Sequence, residues 1–257
     1  VTTIHSTAIV DPGALLGENV SVGPFSVINN DVIIGDDSTI ASHVFIQSGT
    51  RIGKKCRVFS GAVLGTDPQD LKYAGEKTTL EIGDETTMRE FCTLNRGSSH
   101  RKKTVIGKRC LIMAYAHVAH DCILGDNVIL ANSVNMAGHV TIEEFVSIGG
   151  LTPIHQFVKI GRHAFVGGGL RVSQDIPPYI LAAGEPIQYA GINRIGLSRR
   201  GFSSQTLAQI KNAYKLIYRS GLNTTQAIQQ IEDTMEQIHE VKFIVDFIKT
   251  SERGIIK

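Results

Sequence analysis

Val22-Gly-Pro-Phe-Ser-Val-Ile28-Asn-Asn-Asp-Val-Ile-Ile34-Gly-Asp-Asp-Ser-Thr-Ile40-Ala-Ser-His-Val-Phe-Ile46 carries an aliphatic residue at every sixth place. Extended in both directions, the frame runs from Ile4 to Val172, and 26 of its 29 steps fall on Ile, Leu, Val or Met. These four types make up 71 of the 257 residues, so chance would place only about eight of them on the frame. The three exceptions, Asp70, Glu76 and His100, lie in two insertions that preserve the frame. Four places after each anchor sits a small or β-branched residue, as at Val20, Ser26, Val32 and Ser38. Gly follows the anchor directly eleven times.

Neither an amphipathic helix nor a hairpin sheet has a period of six. A two-residue strand and a tight corner do, with Gly, Asn or Asp expected where φ turns positive. Three units make an 18-residue triangular coil, and coils stacked at about 4.8 Å form a prism roughly 40 Å long. The anchors would fill its axis. Cys56, Cys92, Cys110 and Cys122 all fall four places after an anchor, where a free thiol serves as a small buried hydrophobe. Ile and Val together number 51 against 16 Leu, a bias toward strands.

The frame is lost near Asp175-Ile-Pro-Pro-Tyr179, and a linker is expected to run to about residue 202. Helical periodicity follows. Ser203 or Ser204 is expected to cap a helix closed by Gly221. A second helix is expected from Thr224 or Thr225 through Gln237, and a third over 241–249. The division expected is a β-helix over 1–190 and a small helical domain over 191–257.

A formal charge of +2 gives no global pull toward nucleic acid or membrane. No apolar run is long enough to cross a bilayer, and the first residues show no secretory pattern, so a cytoplasmic location is expected.

Six of the nine histidines lie between residues 100 and 163. Stepping by 18 from His120 gives Gly138 and then Gln156. His139 and His155 adjoin those two, and His117 lies just upstream. One edge of three successive coils therefore gathers polar side chains beside a glycine backbone. Three readings stay open from the residues alone. A histidine could act as general base with Gly138 N–H stabilising an oxyanion, the histidines could hold zinc, or they could be solvated turn residues. The insertion Asp67-Pro-Gln-Asp-Leu-Lys-Tyr-Ala-Gly-Glu76 offers acceptors and a cation suited to sugar or phosphate. The insertion Ser98-Ser-His-Arg-Lys-Lys103 reads as a plain solvated turn. Arg199-Arg200 fits phosphate recognition or docking of an acidic carrier protein.

Asp67–Glu76, Ala116-His-Val-Ala-His-Asp-Cys122, Ala137-Gly-His-Val140, Ile154-His-Gln-Phe157, Gln174-Asp-Ile-Pro-Pro-Tyr179, Arg199-Arg-Gly-Phe202 and Asn212–Gly221 resemble the UDP-N-acetylglucosamine O-acyltransferase (LpxA) family from end to end. The resemblance implies a left-handed parallel β-helix, although crossover rules alone favour the right-handed form. It further implies a homotrimer, and transfer of a 3-hydroxyacyl chain from acyl carrier protein to the 3-hydroxyl of UDP-GlcNAc in lipid A synthesis, with no cofactor and no metal. On that likeness His120 is the general base, Asp121 its orienting partner and Gly138 the oxyanion donor. Asp70, Lys72, His117, His139, His155, Gln156, Asn193, Arg199 and Arg200 match substrate-binding positions, and Met113 and Gly168 match the acyl-chain pocket. Gly168 goes with a longer rather than a shorter chain. Alternatives are the 3-amino analogue of the sugar as acceptor, or a zinc carbonic-anhydrase-like enzyme on the same fold.

Overall fold

The computed structural model describes residues 1–257. Its first three strands, Thr3–Ile4, Ile9–Val10 and Leu15–Leu16, open three parallel faces, here numbered first, second and third in that order. Each later strand pairs with the one a coil away, as in the ladder His117↔Asn135↔Pro153 on the second face. The result is a left-handed parallel β-helix whose anchors are buried along the axis. Successive coils are joined by backbone hydrogen bonds such as His117 N–H to Val134 O, 2.9 Å.

The corners meet the expectation in part, since Asp37, Asp121, Asn127 and Gly61 turn with positive φ, but larger residues such as Phe25 and Tyr115 do so too. Gly65 apart, positive φ does not fall on the glycines after the anchors. In the regular coils it falls two residues later, on side-chain-bearing residues such as Asp37, His43, Tyr115, Asp121 and His139, with φ between +57° and +63°. None of the non-Gly residues with positive φ is β-branched, the class for which that region is least tolerable. The glycine after the anchor is needed for a different reason. A Cβ on Gly35 would lie 2.7 Å from the Gly53 carbonyl carbon in the next coil, so glycine permits the coils to approach.

The four cysteines are unpaired and buried, as the six-residue frame predicts. Burial pushes their thiols up to about 11 at Cys56 and Cys110 and about 12 at Cys92 and Cys122.

The expected linker is structured. Strand Ile180–Ala183 continues the first face, and Gln188–Ile192 folds back antiparallel to it. Helix α1, Arg194–Arg199, follows with Asn193 as its cap. With the frame lost after Val172 and α1 under two turns long, neither period could announce these elements. Helix α2, Ser204–Arg219, is capped by Ser203 and followed by Gly221 at φ +77°. Helix α3, Thr224–Thr234, starts with a capping box from Asn223 and Gln226. It stops short of Gln237 because that side chain turns back and donates to Ile231 O at 2.9 Å. Helix α4 spans His239–Lys249. Tyr214 OH donates to Pro178 O at 2.6 Å, and the Arg162 guanidinium lies 3.6 Å from the Phe243 ring centroid, so the helices are fastened to the prism. No helix is long and apolar enough to cross a membrane.

Candidate active site

The edge between the second and third faces carries the candidate chemistry. There a cleft of about 820 Å³ is lined by Gln69–Lys72, His117, His120, Asn135–Gly138 and Gln156. Asp121 is the corner residue, and its φ of +59° turns its side chain back toward its neighbour. In a straight strand the two side chains would point apart. Here Asp121 Oδ2 lies 2.8 Å from His120 Nδ1.

The Asp121 side chain is wholly buried. Burial alone would push its carboxyl up, but hydrogen bonds from His120, from the Ser98 side chain and from the Ser98 and Arg101 backbone outweigh it and hold the group below its ordinary value. An ionised carboxylate only accepts hydrogen bonds, so Nδ1 of His120 carries the proton and Nε2 presents a lone pair. That atom faces Gly138. A Cβ at 138 would lie 2.7 Å from both Nε2 and Cε1 of the ring, so only glycine lets imidazole and backbone come this close. The Gly138 N–H donates to no acceptor within the chain. One side of the cleft thus holds an oriented acceptor of protons and an unused amide donor.

His117 also faces the cleft, with Nδ1 2.7 Å from Thr93 Oγ1. Its burial, with the nearby His120, lowers its pKa and favours a neutral ring. Asp70 Oδ1 accepts the Lys72 N–H at 3.0 Å, shaping the tip of the first insertion and leaving the Lys72 amine exposed. Asn95, almost fully buried, donates to Thr66 Oγ1 and Asp67 O at 2.9 and 3.0 Å and pins the foot of that loop.

Other sequence-predicted residues lie elsewhere on the chain. His139 sits behind the cleft, stacked on Phe157 at 4.6 Å with its edge to His120. Its burial lowers its pKa, partly offset by Asp121. His155 is exposed, near its own turn, with Nδ1 3.2 Å from Gln156 O. Asn193, Arg199 and Arg200 line a second groove of about 710 Å³ beside the first face. Asn193 there caps α1 and donates to His163 O at 2.9 Å. Met113 and Gly168 lie at the edge between the first and second faces, three coils apart.

The second insertion is not a plain solvated turn. Ser98 is buried and, with Arg101, binds Asp121. The frame held the signal: Gly97 follows its anchor by three places, as Asp121 does, one coil away on the same edge.

His120, Asp121 and His139 could bring three ligand atoms within 4.8 Å. A metal does not fit them. The Asp121 oxygens already accept from His120, twice from Ser98 and once from Arg101, which occupies their lone pairs.

A hexapeptide prism with an oriented histidine and a free backbone donor at one edge defines a class, the hexapeptide acyltransferases. The family pattern described as bacterial transferase hexapeptide matches residues 13–48 and 103–138, and that described as UDP N-acetylglucosamine O-acyltransferase, domain 2, matches residues 175–256. The chain is 49% identical over 258 residues to the acyl-[acyl-carrier-protein]–UDP-N-acetylglucosamine O-acyltransferase of Halorhodospira halophila, covering all of both chains. It is 46% identical to the protein of the same name from Thiobacillus denitrificans, covering 99% of each. A crystal structure of LpxA, a UDP-N-acetylglucosamine acyltransferase from Bacteroides fragilis, matches with a TM-score of 0.97 at 46% identity, covering 98% of this chain and 99% of that one. The chain belongs to the acyl-[acyl-carrier-protein]–UDP-N-acetylglucosamine O-acyltransferase family, and it is an acyltransferase.

Proposed function

We propose that this chain transfers a 3-hydroxyacyl group from the thioester of acyl carrier protein to the 3-hydroxyl of UDP-N-acetylglucosamine, the first step of lipid A synthesis. The observation that carries this reading is the Asp121-held imidazole of His120 set against the unused N–H of Gly138 in one cleft. Nε2 of His120 removes the hydroxyl proton as the sugar oxygen attacks the thioester carbonyl. The carbonyl electrons move to oxygen, where Gly138 N–H stabilises the charge. The intermediate collapses, the C–S bond breaks, and the departing thiolate takes the proton back from the imidazolium. Asp70, Lys72, His117 and Gln156 surround the space left for the nucleotide sugar.

A homotrimer brings the separated predicted residues together, with Asn193, Arg199 and Arg200 of one subunit serving the cleft of the next. The edge between the first and second faces supports this assembly. It carries Phe25, Phe91, Tyr115 and Leu151, each more than half exposed, an apolar ladder suited to burial between subunits. Within this reading residues 1–190 perform the chemistry and residues 191–257 receive the carrier. Lys211, Lys215 and Arg219 support the second role, since they are exposed at four-residue intervals on α2 without ion-pair partners. Free cysteines and both substrates fit a cytoplasmic location.

The test is an assay of a panel of acyl carrier protein thioesters against UDP-N-acetylglucosamine and its 3-amino analogue. The expected product is the ester. His120→Ala should reduce the rate by about three orders of magnitude with the oligomer intact. A variant that keeps its rate within tenfold would overturn the assignment of the base.

A further inference from the structure

The turn Gly97–Lys103 ends against the corner that holds Asp121. Two backbone N–H groups converge on one carboxylate oxygen: Ser98 N–H at 3.0 Å and Arg101 N–H at 3.1 Å from Oδ1. They converge because Lys102 N–H closes the turn onto Ser98 O at 2.8 Å, with Lys102 itself at φ +61°. A Cβ on Gly97 would collide with the Lys103 backbone, so the turn requires glycine there. The other oxygen, Oδ2, accepts from Ser98 Oγ at 2.6 Å and from His120 Nδ1 at 2.8 Å. Arg101 then ties the turn to the coils, reaching Asp121 O at 3.0 Å and Thr141 Oγ1 at 3.4 Å.

From this we infer that Ser98, carried on the Gly97–Lys103 turn, is a positioning residue for the acyl transfer: it fixes the Asp121 carboxylate in the one orientation that holds His120 toward the acceptor hydroxyl. Ser98 is 7% exposed and is not among the residues lining the cleft, so it acts through Asp121 and does not touch substrate. With both lone pairs of Oδ1 engaged by backbone, the carboxylate cannot rotate without losing two hydrogen bonds at once. Ser98 Oγ fills the remaining site on Oδ2 and leaves the imidazole a single docking direction. This inference rests on the reading of His120 as the base.

Steady-state kinetics of the full-length assembled enzyme test it. Ser98→Ala is expected to lower kcat by about tenfold, with KM for both substrates within about twofold and an unchanged oligomer. Ser98→Thr, which restores a hydroxyl, should recover most of that loss. On an Asp121→Ala background, Ser98→Ala should change kcat by less than about twofold, because the group it positions is gone. The inference fails if Ser98→Ala alone keeps kcat within twofold of the parent. It also fails if the loss is as large on the Asp121→Ala background, since that would mark general damage to the fold. His120→Ala, run alongside, separates the two levels. If that variant keeps its rate, the base is misassigned. If it is inactive while Ser98→Ala is unaffected, only the positioning role is refuted.

Discussion

The prism is interrupted twice, and the two interruptions point in opposite directions. Residues 67–78 swing outward and place Asp70, Leu71 and Lys72 along the mouth of the cleft, with Leu71 fully exposed. Residues 97–103 turn Ser98 and the Arg101 backbone inward onto one buried carboxylate, while His100, Lys102 and Lys103 stay exposed. The first insertion offers groups to an incoming molecule, and the second offers groups to the protein itself. The two should therefore leave different kinetic signatures, with the outward loop controlling binding and the inward turn controlling turnover.

The sharpest way to break that comparison is at the inward end. Asp121→Asn keeps size but presents an amide where a carboxylate accepted from Nδ1, so kcat should fall by about three orders of magnitude with KM little changed. A smaller effect of the opposite kind is expected outside. Lys72→Ala should raise KM for the nucleotide sugar about tenfold while kcat stays within about threefold. If Lys72→Ala lowers kcat instead, the division of labour is wrong. Asn95→Ala should act in the same sense but more weakly, because it frees the foot of the loop rather than its tip. KM should rise about threefold, and the removed hydrogen bonds should cost about 1–3 kcal/mol of stability, read from denaturant unfolding.

The smallest effect lies away from both insertions and serves as a control. His163 is packed between Phe145 and Tyr179, and burial, with Arg200 and Arg162 nearby, drops its pKa from 6.5 to about 4. The folded state then binds fewer protons than the unfolded one between those values. Stability is full above pH 6.5 and falls as pH drops toward 4, by at most about 3 kcal/mol. His163→Phe should flatten the difference in melting temperature between pH 7 and pH 5 without altering turnover at pH 7.

Much of this was legible in the sequence. The anchor column fixed the faces, and counting by 18 placed His120, Gly138 and Gln156 along one cleft. Ser98 escaped because a polar residue in a short basic stretch looks solvated, and nothing local shows that its partner lies 23 residues away. Residues 180–202 escaped because the period that marked the prism ends before them. Gly65 apart, the glycines after the anchors serve close approach rather than positive φ, and the period could not tell the two apart. Close approach is a property of neighbours 18 residues apart, whereas a period reveals only that some constraint exists.

The four buried thiols have a practical consequence. Cys56, Cys92, Cys110 and Cys122 sit inside the prism, and burial keeps them protonated at neutral pH. An alkylating reagent can reach them only where the stack has parted. Mass spectrometry of the labelled sites would then record where the spiral unwinds first, making the native cysteines a built-in gauge of fraying that needs no engineered probe.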